Sequence, residues 1–379
     1  MKKLAIIGAS CFQEPLISKA KDMGLETHVF AWKTGDEGEK IADYFYPISI
    51  TEKALILKKC KEIKIDGICT IGSDLATITV SYVAEHMGLT GNRIETSLVT
   101  TNKYEMRKRF KKNGDPSPES KIVTSVNELN IDELKYPLIV KPTDRSGSRG
   151  IYKVQRAEEL NEAIENAKEQ GFLKKVLIEE YVEGREYSVE YISFEGQHVF
   201  LAITEKYTSG APCFIETGHI EPSGIEEDGL RQIKKIVEHA LSSLGITVGA
   251  SHTELKIDEE GNITIIEIGA RMGGDFIGSH LVPLSTGNDF VEYVIKCALG
   301  EQPIVEKWDT DKVVAVKFAF NDIDCDIIEK FVDKFNEKVI KCEFTRKGEK
   351  AVIDSSSRWG YCIAAFDSRE EAKTLLKLN

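Results

Sequence analysis

The first hundred residues alternate short apolar runs with amphipathic stretches. Residues 3–8, 27–31 and 67–71 read as strands, and residues 14–23, 54–63 and 76–87 carry apolar side chains at helical spacing, stopping at Gly24 and Gly88 in the first and last cases. Alternation of this kind buries its apolar faces as a parallel sheet covered by helices. Residues 8–10 and the pair Gly72 and Ser73 then fall beyond the carboxyl ends of strands, where open α/β sheets bind ligands. No G-x-G-x-x-G occurs, so a dinucleotide fingerprint is absent.

The pattern changes after residue 100. Asn102 with Glu105 three residues on is a capping-box-like start for a basic helix over 103–112, which stops at Asn113 and Gly114 ahead of Pro116 and Pro118. Strands are expected at 136–141, 151–154, 176–181, 186–193, 199–206, 250–257 and 262–268, with helices at 157–170 and 229–244. The last eighty residues give strands at 312–320 and 351–353 and helices at 327–336 and 369–378. No internal repeat or low-complexity segment interrupts them. A chain of 379 residues suggests two to three domains at roughly 150 residues each.

Composition excludes several classes of function. Lys plus Arg is 50 against 62 Asp plus Glu, a net charge of −12, which argues against non-specific nucleic-acid binding. No apolar run approaches the ~20 residues of a membrane span. The amino-terminal run from Leu4 to Ile7 is too short for a signal peptide and reads as a buried strand. The eight cysteines include no C-x-x-C pair, so neither a disulfide framework nor a zinc site is indicated, and a reducing, cytoplasmic compartment is expected.

Three clusters carry the chemistry. Residues 258–261 (DEEG) are a turn signal between two strands, and a four-residue loop pairs Ile257 with Asn262. Glu254 then faces Ile265 and His252 faces Glu267, which puts both carboxylates on one face as diagonal neighbours, roughly 7–8 Å apart. Such a pair suits Mg²⁺ shared with nucleotide phosphates; the alternative is a solvated hairpin face. Glu267 runs on into IGARMGGDF, where Arg271, Gly273 and Gly274 look built for an anion and a close backbone approach. In the second cluster, Lys141 precedes the loop Ser146, Gly147, Ser148, Arg149, Gly150, whose backbone N–H groups are free to face phosphate, although such loops are also common linkers. The third is IEEYVEGRE over 178–186, either acceptors for an adenine amino group and a ribose diol or a strand end emerging into water.

Taken in order, Lys103, VKP-x-x-x-x-GSRG with Lys141, EEYVEGREYSVE, and Glu254 and Glu267 with Arg271 resemble the ATP-grasp superfamily, in particular its biotin-carboxylase-like and L-amino-acid-ligase-like carboxylate–amine ligases. The ending SSSRWGY over 355–361 resembles the C-terminal domain of the same members. The resemblance implies a mixed α/β and α+β chain. An N-terminal Rossmann-like pre-ATP-grasp domain would span 1–100 and an ATP-grasp domain 101–300, with a small inserted lid subdomain at about 116–183. A C-terminal α+β domain would span 301–379. By resemblance, Lys103 and Lys141 hold the ATP phosphates, with Lys141 and Arg271 as the catalytic residues. The loop with Ser146, Gly147, Ser148 and Gly150 closes over the phosphates. Glu179, Glu180, Tyr181 and Val182 line the adenine pocket, and Glu186 takes the ribose hydroxyls. Lys206 and His219 make phosphate or nucleotide contacts. Glu254 and Glu267 carry Mg²⁺ or Mn²⁺. Arg271 steadies an acyl phosphate and the adduct that follows.

One position departs from the family pattern. E-x-N-x-R reads here Glu267-Ile268-Gly269-Ala270-Arg271, so the Asn that serves as a third metal ligand is replaced by Gly269; the E-x-G-A-R form resembles a subset of amino-acid-ligase-like members. The implied activity joins a small-molecule carboxylate to an amine, with release of ADP and phosphate, and without nucleic-acid or membrane partners. The resemblance also admits a homodimer. Alternatives are a purine-biosynthetic or biotin-carboxylase and carbamoyl-phosphate-synthase type of reaction, or a regulatory nucleotide binder with an incomplete metal site. Four further residues have two readings each. His252 orients Glu267 or fills the strand pair, Asp74 touches substrate or caps a helix, Arg358 reaches the site or lies exposed, and Cys213 lines an acceptor pocket or packs as a small apolar group.

Overall fold

Lys3–Ile7 (β1), Glu26–Phe30 (β2), Tyr44–Tyr46 (β3) and Gly67–Cys69 (β4) pair in parallel in the order β3-β2-β1-β4. The computed structural model describes residues 1–211, 214–306, 310–348, 352 and 354–377. Strands β1 and β2 are buried along most of their length, as continuous apolar runs under helices must be. Helix Asp74–Met87 starts where the Ser73 hydroxyl accepts from the Ala76 N–H, and it ends at Gly88 with φ +66°. Helix Glu37–Ile41 and strand β3 were not expected from the sequence, being too short to show a period.

The second sheet comprises Ser120–Val123 (β5), Leu138–Pro142 (β6), Tyr152–Val154 (β7) and Val176–Glu180 (β8), antiparallel in the order β5-β8-β6-β7. Helix Ala157–Gln170 supplies Leu160, Ile164 and Ala167 to its core. The third sheet has eight antiparallel strands: Arg185–Phe194 (β9), Gln197–Thr208 (β10), Glu216–Glu221 (β11), Gly249–Ile257 (β12), Ile263–Gly269 (β13), Val313–Ala319 (β14), Val339–Phe344 (β15) and Gly360–Phe366 (β16). Their order is β13-β12-β9-β10-β11-β14-β16-β15, so the strands after residue 300 extend the same sheet. Of the expected strand at 351–353, residues 351 and 353 lie outside the described residues, as do Cys213 and the end of the expected helix at residue 378.

Helix Phe290–Ala298 ties the first and third sheets together. It buries Phe290, Val294 and Ile295 among other apolar residues and packs against β4 and β12. Its backbone comes so close to β4 that a Cβ on Gly67 would sit 2.6 Å from the Ala298 carbonyl oxygen, which is why position 67 is glycine.

The β12–β13 hairpin corrects the expected register. Ile257 pairs with Ile263 rather than Asn262, because Asp258 accepts from the Asn262 backbone N–H at 2.7 Å and side-chain amide at 2.9 Å, enlarging the loop by one residue. A bulge between Glu254 and Leu255 shifts the pairing once more. Ile266 is the extra residue, and its carbonyl accepts from Arg107 Nη2 at 2.6 Å. Glu254 therefore lies directly opposite Glu267, and His252 opposes Gly269 instead of Glu267.

Glu221 ends β11 with no exposed surface; Thr204 Oγ1 donates to it at 2.5 Å from β10, and Ser285 Oγ at 2.6 Å from helix Val282–Thr286. Burial pushes its carboxyl up to about 7, against those two hydrogen bonds. A folded value above the unfolded ~4.3 means that this group's contribution is complete below pH ~4.3 and is lost as pH rises through about 7. Glu221→Gln keeps the shape without the ionisation. Urea unfolding at pH 5 and pH 8 should show the variant losing part of the wild-type decline, about 3 kcal/mol in size.

Candidate active site

Lys103, Arg107, Lys141, Lys206 and Arg271, all buried or nearly so, meet where the three sheets converge. Lys103 opens helix Lys103–Asn113, its backbone N–H bonds Thr143 O at 2.8 Å, and its Nζ reaches Glu267 at 2.7 Å and the Arg145 carbonyl at 2.8 Å. Lys141, on β6, meets Glu179 of β8 at 2.5 Å, and Arg107 holds the other oxygen of Glu179 at 2.6 Å. Lys206, on β10, lies 2.7 Å from Glu254 and 3.0 Å from Glu186, with Glu216 at 3.7 Å. Burial opposes the charge on Lys206, but the surrounding carboxylates raise its pKa well above the ordinary lysine value. Burial likewise opposes ionised Glu254, yet Lys206 and His252 hold its carboxyl well below the usual carboxylate range.

Arg271 completes the set. Its Nε donates to Asp74 Oδ1 at 2.8 Å and its Nη2 to Asp74 Oδ2 at 3.0 Å, a two-pronged pair between the loop after β13 and the start of helix Asp74–Met87. Burial raises the Asp74 carboxyl, and Arg271 more than offsets this, leaving it below its ordinary value. Of the two readings of Asp74, capping is performed by Ser73 instead. The pair also accounts for Gly269: a Cβ there would lie 3.0 Å from Asp74 Oδ1 and 3.3 Å from Arg271 Cζ. Behind Glu254, His252 binds Glu190 through Nδ1 and faces Glu254 through Nε2 at 3.4 Å. His252 thus supports Glu254, not Glu267. Gly273 is needed here because its N–H donates to Glu190 at 3.0 Å and a Cβ would come within 2.8 Å of His252.

Two cavities adjoin at this centre. A narrower one of about 110 Å³ is lined by Lys141, Ser148, Glu179, Glu180, Tyr181, Val182 and Glu186, so most of the expected nucleotide residues come together. Lys256 Nζ donates to the Val182 carbonyl at 3.1 Å, and Lys153 lies 3.5 Å over the Tyr181 ring. A larger cavity of about 540 Å³ holds Ser146, Gly147, Lys206, His219 and Arg271. Glu216 and Glu254 line both. Gly150 lines neither; its φ of +73° turns the loop beside Pro142 and Gln170. His219 is fully buried beside Asp275 at 3.5 Å, in the larger cavity, and burial lowers its pKa. Arg358 is not exposed: it clasps Asp275 at 2.6 and 2.7 Å and lies 3.7 Å over the Phe318 ring.

Asp275, Glu216 and Glu190 did not emerge from the sequence as site residues. Asp275 continues the GG run already marked for a close backbone approach, and Glu216 shares its segment with His219, so both signals were adjacent. Glu190 follows no local pattern; only the pairing of β9 with β12 brings it to His252.

This geometry joins a narrow groove to a second, charged cavity. A profile of the ATP-grasp domain matches residues 134–279. The D-alanine–D-alanine ligase of Mannheimia succiniciproducens is 31% identical over 237 residues, which are 57% of this chain and 74% of that protein. The chain belongs to the ATP-grasp family. The alanine–anticapsin ligase of Bacillus subtilis is 28% identical over 279 residues, 64% of this chain, and the match spans 58% of that relative's length. The crystal structure of the L-amino acid ligase from Bacillus licheniformis superimposes with a TM-score of 0.84 at 25% identity, covering 100% of this chain and 97% of that one. The ATP-grasp fold therefore accounts for all three sheets. Among the described residues no helix is long and apolar enough to cross a membrane.

In this ATP-grasp chain the space beside Glu267 is taken by the Asp74–Arg271 pair. Asp74→Asn leaves Arg271 without its counter-charge while preserving shape, and should lower stability in urea unfolding by about 3 kcal/mol. Gly269→Asn should destabilise as well, because its side chain must displace the same carboxylate. Unfolding midpoints equal to wild type would contradict the role given to this pair.

Proposed function

We propose that the chain is an ATP-dependent ligase that activates a small-molecule carboxylate as an acyl phosphate and joins it to an amine, releasing ADP and phosphate. The observation that carries this reading is the meeting of the two cavities at Glu216 and Glu254, with Lys206 beside them. A nucleotide along Lys141, Glu180, Val182 and Glu186 directs its terminal phosphate to that junction, and the second cavity brings a carboxylate to the same place.

The carboxylate oxygen attacks the γ-phosphorus; the bond to the β,γ-bridging oxygen breaks, and ADP leaves with that electron pair. The amine nitrogen then attacks the acyl carbon, phosphate departs, and the nitrogen loses one proton. Lys103 and Lys141 are positioned to neutralise phosphate oxygens, and Arg271 to neutralise the oxygens of the acyl phosphate and tetrahedral adduct. Ser146 and Gly147 face the cavity from the loop after β6, against the C-terminal segment: a Cβ on Gly147 would lie 3.7 Å from Ser355 Oγ. Closure there limits loss of the acyl phosphate to water.

Glu254 and Glu267 fit a divalent ion of the magnesium type. Among the described residues no cluster of three or more His, Cys, Asp or Glu side chains is arranged to hold a metal. A pair of carboxylates is nevertheless what Mg²⁺ uses when phosphates and water complete its shell. Each of the two is neutralised by a lysine, Glu254 by Lys206 and Glu267 by Lys103. When bound, the ion would offset charge on the phosphate oxygens.

The test is magnesium-dependent ADP release against pooled amino acids, other carboxylates and bicarbonate. Glu267→Gln should reduce turnover about 100-fold or more with an unchanged circular-dichroism spectrum, and turnover near wild type would remove Glu267 from the metal site. Lys141→Ala should weaken ATP binding about 10- to 100-fold in calorimetry. Dependence on bicarbonate instead of an amino acid would transfer the chain to the carboxylase type of reaction.

A further inference from the structure

The larger cavity has two unlike ends. One is the charged junction of Lys206, Glu216, Glu254 and Arg271. The other is walled by Phe12, Phe276 and Tyr361, with Phe276 ring-to-ring at 4.1 Å from Tyr361 and 5.9 Å from Phe12. Two glycine backbones separate the ends: a Cβ on Gly72 would lie 3.4 Å from Phe12 Cβ and 3.9 Å from Gly274 Cα. The aromatic end therefore adjoins the segment that carries Arg271, three residues before Gly274.

The position of the aromatic wall is built in. Asp275 and Phe276 have φ of +54° and +65°, a conformation that is rare for a phenylalanine and is kept only where surrounding contacts hold it. Here Arg358 holds Asp275 with two bonds. Of the charged or titratable groups around the aromatic end, His280 stacks edge-on to Phe276 at 5.4 Å and Lys341 lies 5.9 Å over the Tyr361 ring. Arg358 is committed to Asp275, and the charges nearest Tyr361, Lys341 and Glu343, lie 3.5 Å from each other. Cys11 lies exposed at the rim.

We propose that this aromatic end receives the side chain of the carboxylate substrate, and that this substrate is an amino acid with a large apolar side chain, aliphatic or aromatic. The inference rests on the ligase reading above. Burying such a side chain against three rings is favourable, whereas alanine leaves the space unfilled and a charged side chain loses hydration without gaining a partner.

Hydroxylamine tests the activated partner without knowledge of the natural amine. It attacks the acyl phosphate through nitrogen, phosphate leaves, and a hydroxamate forms. With ATP, Mg²⁺ and hydroxylamine, single amino acids are compared by hydroxamate and ADP formation. Leucine, methionine and phenylalanine should exceed alanine, aspartate and lysine in kcat/KM by about tenfold or more. Phe12→Ala and Tyr361→Ala should raise the KM for leucine by a similar factor, with ATP KM within about twofold. Phe12→Trp should shift preference toward smaller side chains, a gain that a misfolded protein cannot produce. Preference for alanine or a charged amino acid overturns the proposal and leaves the ligase reading intact. Activity with non-amino-acid carboxylates alone does the same. Absence of ADP release with every carboxylate removes both.

Discussion

Burial of charge is the constraint on which this structure depends. A carboxylate or ammonium taken out of water without a partner costs several kcal/mol, and the cleft takes in many. Each has a partner from a distant part of the chain: Lys103 with Glu267, Lys141 with Glu179, Lys206 with Glu254, Arg271 with Asp74. The sheets thus cannot be rearranged independently. Moving the first sheet strands Arg271, and moving the second strands Arg107 between Glu179 and the carbonyl of Ile266. Such pairing is weak evidence for stability as such. It does fix the relative position of elements that must meet one reacting group.

The same pairs describe a site set for exchange of partners. Lys103 and Lys206 occupy the carboxylates in the proposed metal site, and Lys206 lines the larger cavity with Glu216 and Glu254. If Glu254 and Glu267 hold a divalent ion as proposed, its charge would stand in for that of Lys206 and Lys103, and the two lysines would be available to phosphate oxygens. Total charge in the cleft then changes little, so binding need not include the full cost of desolvating new ions.

The fold and much of the site were legible in the sequence. Alternating apolar runs located β1, β2 and β4, and the order of Lys103, Lys141, the 178–186 segment, Glu254 and Glu267 carried the family resemblance. What escaped detection was set by geometry outside any local window. The hairpin register turned on one Asp258–Asn262 interaction and on a bulge whose free carbonyl is satisfied by Arg107, 159 residues away in the chain. Glu190 and Asp275 are site residues through cross-strand pairing and through Arg358, and neither has a motif. Arg358 itself could not be told from an exposed arginine until β16 was seen in the central sheet.

Gly269 shows how a departure from a family pattern is to be weighed. Read along the sequence, it is a missing metal ligand and a reason to suspect an impaired site. In three dimensions a Cβ at this position would crowd Asp74, which the helix after β4 brings in to hold Arg271. Loss of the ligand and gain of the clamp are therefore one arrangement. A larger residue at 269 would have to shift the Asp74–Arg271 pair, because a Cβ there would already lie 3.0 Å from Asp74 Oδ1 and 3.3 Å from Arg271 Cζ. What glycine at this position permits is a fixed orientation of Arg271, whose guanidinium lines the larger cavity together with Glu254.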